Sequence, residues 1–264
     1  MRQTIVVGLA MGALALAGAG MGWAGQPLET ESARMLGRGV FELEGGVEHQ
    51  RSSAGLETAV PFAIEYGLTG RLQLLAEPVL YTAIHDAGMA TRTGIGDLEV
   101  TLTSLLSSER SGLPGIAVAG ELKIPTARDA RIGSGKADYT AYLIASRRAG
   151  AWDTHAHLGY TLIGRPRGAQ VNNVVSFALA EELHLNPRIE AVAEITGSTA
   201  ALRESAGQPA AGNESAVTPE IGGTEVVGTL GARYHVTGAT AYSLGLSIDN
   251  NGAVLVHPGI TLKW

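Results

Sequence analysis

The sequence predicts an all-β fold, a transmembrane antiparallel up-and-down β-barrel of about twelve strands. Three observations carry that expectation. Segments of about ten residues alternate apolar and polar side chains, the period of a strand with two different environments on its faces. Tight connections alternate with longer ones along the chain. No segment after the amino terminus reaches the roughly 18 consecutive apolar residues of a spanning helix, so any membrane passage has to use strands.

The chain divides into three parts. Arg2, the apolar run Ile5 to Ala19 and the small-residue motif Gly22-Trp23-Ala24 read as a signal peptide over residues 1–24. Residues 25–36 are expected as a periplasmic N-terminal segment, and 37–264 as the barrel. The chain has no cysteine, which excludes disulfides and thiol chemistry, and its net charge of −6 argues against nucleic acid as a partner. Aromatic residues make up only 5%, few for the two interfacial girdles a membrane barrel uses.

Twelve segments are predicted as strands: 37–49, 56–66, 70–82, 95–107, 114–125, 136–148, 152–163, 172–184, 188–199, 223–236, 239–248 and 252–264. In the second, Val60, Phe62, Ile64 and Tyr66 oppose Ala59, Pro61, Ala63 and Glu65. In the fourth, Leu98, Val100, Leu102 and Leu106 oppose Asp97, Glu99, Thr101 and Thr103. The ninth sets Ile189, Ala191, Ala193 and Ile195 against Arg188, Glu190, Glu194 and Thr196. The last sets Val254, Val256, Pro258, Ile260, Leu262 and Trp264 against Leu255, His257, Gly259, Thr261 and Lys263. A charge on every second residue does not fit a dry sandwich core, while the opposite face is too apolar for water. Lipid outside and a polar lumen inside satisfy both. Tight turns such as Gly67-Leu68-Thr69 and Leu185-Asn186-Pro187, against longer stretches such as 83–94, 126–135 and 200–222, put both termini in the periplasm of a bacterial outer membrane.

The expected lumen set is Glu65, Arg71, Glu77, Asp97, Glu99, Glu121, Lys123, Lys136, Asp138, Glu190, Glu194 and Arg233. It reads either as a charged constriction that selects solutes or as a ladder of cross-strand ion pairs that stiffens a narrow barrel. His155 and His157 point the same way from one strand and form a weak candidate metal pair that needs a third ligand. No metal or other cofactor is implied. Ser176 beside these histidines lacks the Gly-x-Ser-x-Gly elbow of a hydrolase, so no enzyme is expected. Arg147, Arg148, Arg165 and Arg167 are expected to anchor the barrel to lipid headgroups.

Several stretches resemble a known family. Thr30-Glu31-Ser32-Ala33, Leu36-Gly37-Arg38-Gly39, Phe41-Glu42-Leu43-Glu44-Gly45, Pro61-Phe62-Ala63-Ile64-Glu65-Tyr66-Gly67-Leu68, Gly94-Ile95-Gly96-Asp97-Leu98, Lys123-Ile124-Pro125-Thr126 and Ile132-Gly133-Ser134-Gly135-Lys136-Ala137-Asp138-Tyr139 occur in its order. Together they are similar to the outer-membrane transporter-like family of the MetA pathway of phenol degradation. The resemblance implies a barrel channel for passive passage of small hydrophobic or aromatic solutes. Expected partners are membrane lipids, the small-molecule solute and, through the carboxy-terminal strand, the barrel assembly machinery. The alternatives are a structural or binding barrel with a closed, ion-paired lumen, and a soluble sandwich or lipocalin-like binder.

Overall fold

The structure is a computed structural model that describes residues 26–86, 88–165, 171–199, 201 and 224–264. The predicted signal peptide and most of the 200–222 loop lie outside the described residues. Among the described residues every regular element is a strand, and all strand pairings are antiparallel.

The strands are β1 (Phe41–Gly46), β2 (Glu48–Arg51), β3 (Gly55–Thr69), β4 (Leu72–Asp86), β5 (Arg92–Gly94), β6 (Leu98–Ser107) and β7 (Gly115–Ile124). They continue with β8 (Asp138–Ala149), β9 (Trp152–Leu162), β10 (Val174–Asn186), β11 (Ile189–Ser198), β12 (Glu225–Thr237), β13 (Thr240–Asp249) and β14 (Val254–Lys263). β1 and β2 both pair with β14 and with β3, so they are two halves of one stave interrupted at Val47. β5 and β6 likewise share β4. The sheet therefore has twelve staves. It closes where β1 meets β14, with Glu42 opposite Lys263 and Gly45 opposite Ile260. The predicted segments coincide with the staves to within a few residues. The largest offsets are at the first, where residues 37–40 form a turn before the ladder begins, and at the third, which runs on to Asp86.

Closure satisfies every ladder hydrogen bond without an edge, which hydrocarbon requires. The alternation then sorts the side chains. One outward row runs Val118, Leu143, Leu158, Phe177 across β7 to β10. The inward row beside it runs Ser146, His155, Ala180, Glu194, Thr229, Ser247 across β8 to β13. Leu143 and Leu158 remain more than half exposed in the isolated chain, whereas His155 and Glu194 are buried. An apolar outside and a polar inside are the inverse of a soluble sandwich, and place the chain in the bacterial outer membrane as a transmembrane barrel.

The scarce aromatics are placed economically. Phe41, Trp152, Tyr234, Tyr242 and Trp264 face outward near the tight-turn rim, and Tyr139 and Tyr160 face outward near the other. Phe41 stacks on Trp264 at 6.1 Å, next to the pairing of the Phe41 N–H with the Trp264 carbonyl at 2.9 Å. Both rims thus carry interfacial rings despite the low count. Leu158 sits mid-stave between Leu143 and Phe177, so Leu158→Arg is expected to cost roughly 2–4 kcal/mol of barrel stability. Urea titration in phospholipid vesicles measures it, and the inward Ser247→Ala change should cost far less.

Candidate functional site

The interior is not an empty tube. Residues 26–36, expected outside the barrel in the periplasm, lie inside the lumen in its tight-turn half. The reason is the chemistry of the wall. Inward carboxylates, a carboxamide, a serine and an imidazole accept hydrogen bonds from the backbone of a segment that has no strand partner of its own.

The segment can be followed donor by donor. The Gln26 N–H donates to Glu44 at 3.1 Å, and its carbonyl accepts from Arg233 Nε at 2.8 Å. The Glu29 and Thr30 N–H groups both donate to Glu194 Oε1, at 2.9 and 2.7 Å, with the Thr30 hydroxyl adding a third bond. The Glu31 N–H reaches His157 Nδ1 at 3.0 Å, that of Ala33 reaches Ser146 Oγ at 2.8 Å, and that of Leu36 reaches Gln73 Oε1 at 3.0 Å. The chain then turns at 37–40 into β1. In passing it crosses the inner wall from β12 through β11, β9 and β8 to β4.

Close approach is written into the wall. A Cβ on Gly231 would lie 2.6 Å from the Pro27 ring, one on Gly245 2.5 Å from it, and one on Gly67 2.1 Å from the Gly37 carbonyl oxygen. Glycine at these inward positions leaves room for the segment. Further along, Ala33 and Met35 pack with Ala117, Ala119, Leu105, Tyr142 and Ile144, an apolar cluster inside the otherwise polar lumen. Arg34 ends the crossing with an ion pair to the buried Asp153 and another to Glu109 at 3.1 Å.

Ten of the expected lumen residues face inward. Lys123 pairs with Asp138 across β7 and β8, and Arg233 with Glu182 at 2.7 Å and Glu190 at 3.5 Å. Glu65 accepts from Gln73, Glu121 accepts from Tyr142 at 3.1 Å, and Glu194 holds the segment. Glu77, Asp97 and Glu99 line the cavity described below. Two residues depart from the expectation. Arg71 is an exposed turn residue whose guanidinium donates to the Leu106 carbonyl at 2.8 Å, because the stave begins only at Leu72. Lys136 belongs to the loop before β8, its backbone N–H bonded to Ser134, because the ladder begins at Asp138.

His155 and His157 also separate. His157 serves the segment, while His155 faces Asp153 and Glu182. Arg148, expected at a lipid headgroup, instead turns inward to Asp153 at 2.7 Å; Arg147 beside it is exposed, and Arg167 is outside the described residues. The serines that hydrogen-bond histidines are Ser146 with His155 and Ser247 with His257, not Ser176, and Ser146 lies under the segment with Ala33 donating to it.

Alongside the segment the lumen holds a cavity of ≈ 460 Å³, lined from Glu42, Glu65 and Lys263 near the tight turns to Glu48, Glu225 and Asp249 near the long loops. Glu48, Glu65, Glu77, Glu99, Glu225 and Asp249 line it, with Lys123 and Lys263 as the inward lysines. Lys263 is drawn to Glu42 at 2.9 Å, so acid predominates on the wall. Leu28, Leu75, Val79, Val174, Val227 and Leu255 supply apolar patches between these charges.

Two carboxyls of the segment itself feel that field. Desolvation, then the charges of Glu48, Glu194 and Glu31, raise Glu29 to about 8, although the residue keeps an exposed surface toward the lumen cavity. Desolvation and Glu121 raise Glu31 to about 7. Docked carboxyls that hold their protons longer than free ones favour docking at low pH. Docking is strongest below the ordinary value of 4.5 and weakens as pH rises through about 7 and 8. Amide exchange at residues 29–33 should accordingly be less protected at pH 8.5 than at pH 5, after correction for intrinsic rates, and Glu29→Gln with Glu31→Gln should remove most of that difference.

A search of curated proteins finds no sequence match. Among solved structures, the chain is similar to the COG4313 outer membrane channel from Pseudomonas putida F1, at TM-score 0.65 and 12% identity over 91% of this chain and 100% of that one. It is also similar to the NanC porin, at TM-score 0.59 and 10% identity over 83% and 98%. The KdgM porin follows at TM-score 0.53 and 8% identity over 83% and 98%. At these identities the likeness is one of fold, that of an outer-membrane barrel. Residues 24–224 match the family model described as "Putative MetA-pathway of phenol degradation". That match spans most of the chain, and the protein belongs to this family.

Proposed function

We propose that the protein is a passive channel for small apolar or aromatic solutes, taken in neutral or cationic form. The single observation that carries this reading is the lumen cavity, which combines apolar patches with an acid-rich wall and is bordered by the docked segment. Family membership supports the apolar or aromatic part. The wall supports the charge preference: carboxylates facing a narrow aqueous path repel anions and concentrate cations. Solute moves down its gradient through the cavity and then past residues 26–36, where the path is narrowest.

The filled tight-turn half also favours a second reading, a structural or binding barrel whose lumen stays closed. Glu194, Arg233, Asp153 and Arg34 tie wall and segment together, and such a network stiffens the ring.

Planar-bilayer recording separates the two. On the channel reading the intact barrel conducts, its reversal potential under a salt gradient is cation-selective, and deletion of residues 26–36 raises single-channel conductance several-fold. Silence from both proteins, despite correct heat-modifiable migration, would leave only the closed barrel. An anion-selective reversal potential would remove the role given to the acidic wall. The Glu77→Gln and Glu99→Gln changes together should reduce cation preference without altering gel migration.

A further inference from the structure

Asp153 of β9 and Glu182 of β10 stand directly opposite each other on the inner wall, and both are 0% exposed. Carboxylates in that register repel one another and need cations close by. Three guanidiniums supply them: Arg148 and Arg34 reach Asp153, and Arg233 reaches Glu182.

A fourth group faces the same point. His155 is the next inward residue on β9 and is 1% exposed. Its Nδ1 is tied to Ser146 Oγ at 2.8 Å, which turns Nε2 to within 3.9 Å of Asp153 Oδ1 and 3.9 Å of Glu182 Oε1. That nitrogen has no hydrogen-bond partner among the described residues. A buried ring nitrogen left without a partner is costly. One imidazole nitrogen and two carboxylates, with the other ring nitrogen held by a neighbour, form the donor set of a divalent transition metal.

We propose that Asp153, His155 and Glu182 form a site for a zinc-like divalent metal, and that Arg34 of the lumen segment is the resident cation such a metal replaces. Tetrahedral bonds of about 2.0–2.2 Å place ligand atoms roughly 3.3 Å apart, so the two edges from His155 need contraction by about 0.6 Å, and all three ligand atoms already lie within 4.8 Å of one another. Arg148 and Arg233 are fixed on staves. Arg34 lies on a segment outside the sheet and has Glu109 as a second partner at 3.1 Å, so it can leave Asp153 without breaking a ladder bond. Metal and docked segment then compete for the Asp153 carboxylate. The competition is reciprocal: whatever loosens the segment tightens the metal, and the metal loosens the segment. The site stands whether or not solute passes through the barrel.

Calorimetric titration of ZnCl₂ into the detergent-solubilised full chain tests this, with heat-modifiable migration as the check on folding. Wild type should bind saturably at one site. Arg34→Gln should bind at least about tenfold tighter, and His155→Ala at least about tenfold weaker, as for loss of a metal-site residue. His157→Ala, which touches the segment but not the triad, should not weaken binding. Co²⁺ in the Arg34→Gln variant should give a visible ligand-field band that His155→Ala abolishes. Absence of saturable binding in both wild type and Arg34→Gln overturns the proposal. So does equal weakening by His155→Ala and His157→Ala, which would mark adventitious binding.

Discussion

Hydrocarbon offers no partner to a backbone amide, and the rest of this structure follows from that constraint. A chain without a spanning helix can cross only as a sheet with no free edge, so the first stave has to meet the last. Once the sheet is closed, alternation leaves no choice of environment: one face meets lipid and the other meets the lumen. Every Glu and Asp that the staves carry at inward positions is then confined within a ring about twelve strands around, where it needs a cation or a hydrogen-bond donor.

The wall's own cations answer only part of that need. Lys123, Lys263 and Arg148 are matched across adjacent staves, and Arg233 reaches Glu190 on the next stave and Glu182 on the one beyond. Further acceptors of the wall are met by residues 26–36, which bring backbone N–H groups and the Arg34 guanidinium. This explains why an unpaired stretch lies against the wall rather than in the periplasm. It also leaves an acid-lined cavity alongside the segment. The same interaction that stabilises the ring narrows the path through it, so stability and passage are coupled through one segment.

The barrel was legible because period two survives in the sequence. Leu98, Val100 and Leu102 against Glu99, Thr101 and Thr103 read the same way in one dimension as in three. Inward residues in mid-stave were legible for the same reason. Arg71 and Lys136 were not, since alternation fails at the ends of a stave, where the ladder stops one or two residues short of the pattern. The position of residues 26–36 left no periodic trace at all. Its one retrievable signal was glycine at inward positions such as Gly231 and Gly245, which spares room that the strand itself has no use for. The Asp153–Glu182 opposition required cross-strand register, which alternation alone does not fix.

The occupation of the lumen by its own N-terminal segment is the claim on which the account turns, and cysteine cross-linking tests it most directly because the chain has no native thiol. Ala33 packs among Ala117 and Ala119. Paired Ala33→Cys and Ala117→Cys changes, made in protein assembled in the outer membrane, should form a disulfide readily under mild oxidation. Position 33 alone should resist a bulky thiol reagent supplied from the periplasmic side. Failure of the pair to cross-link, with position 33 fully labelled in the folded barrel, would place the segment outside and contradict the account.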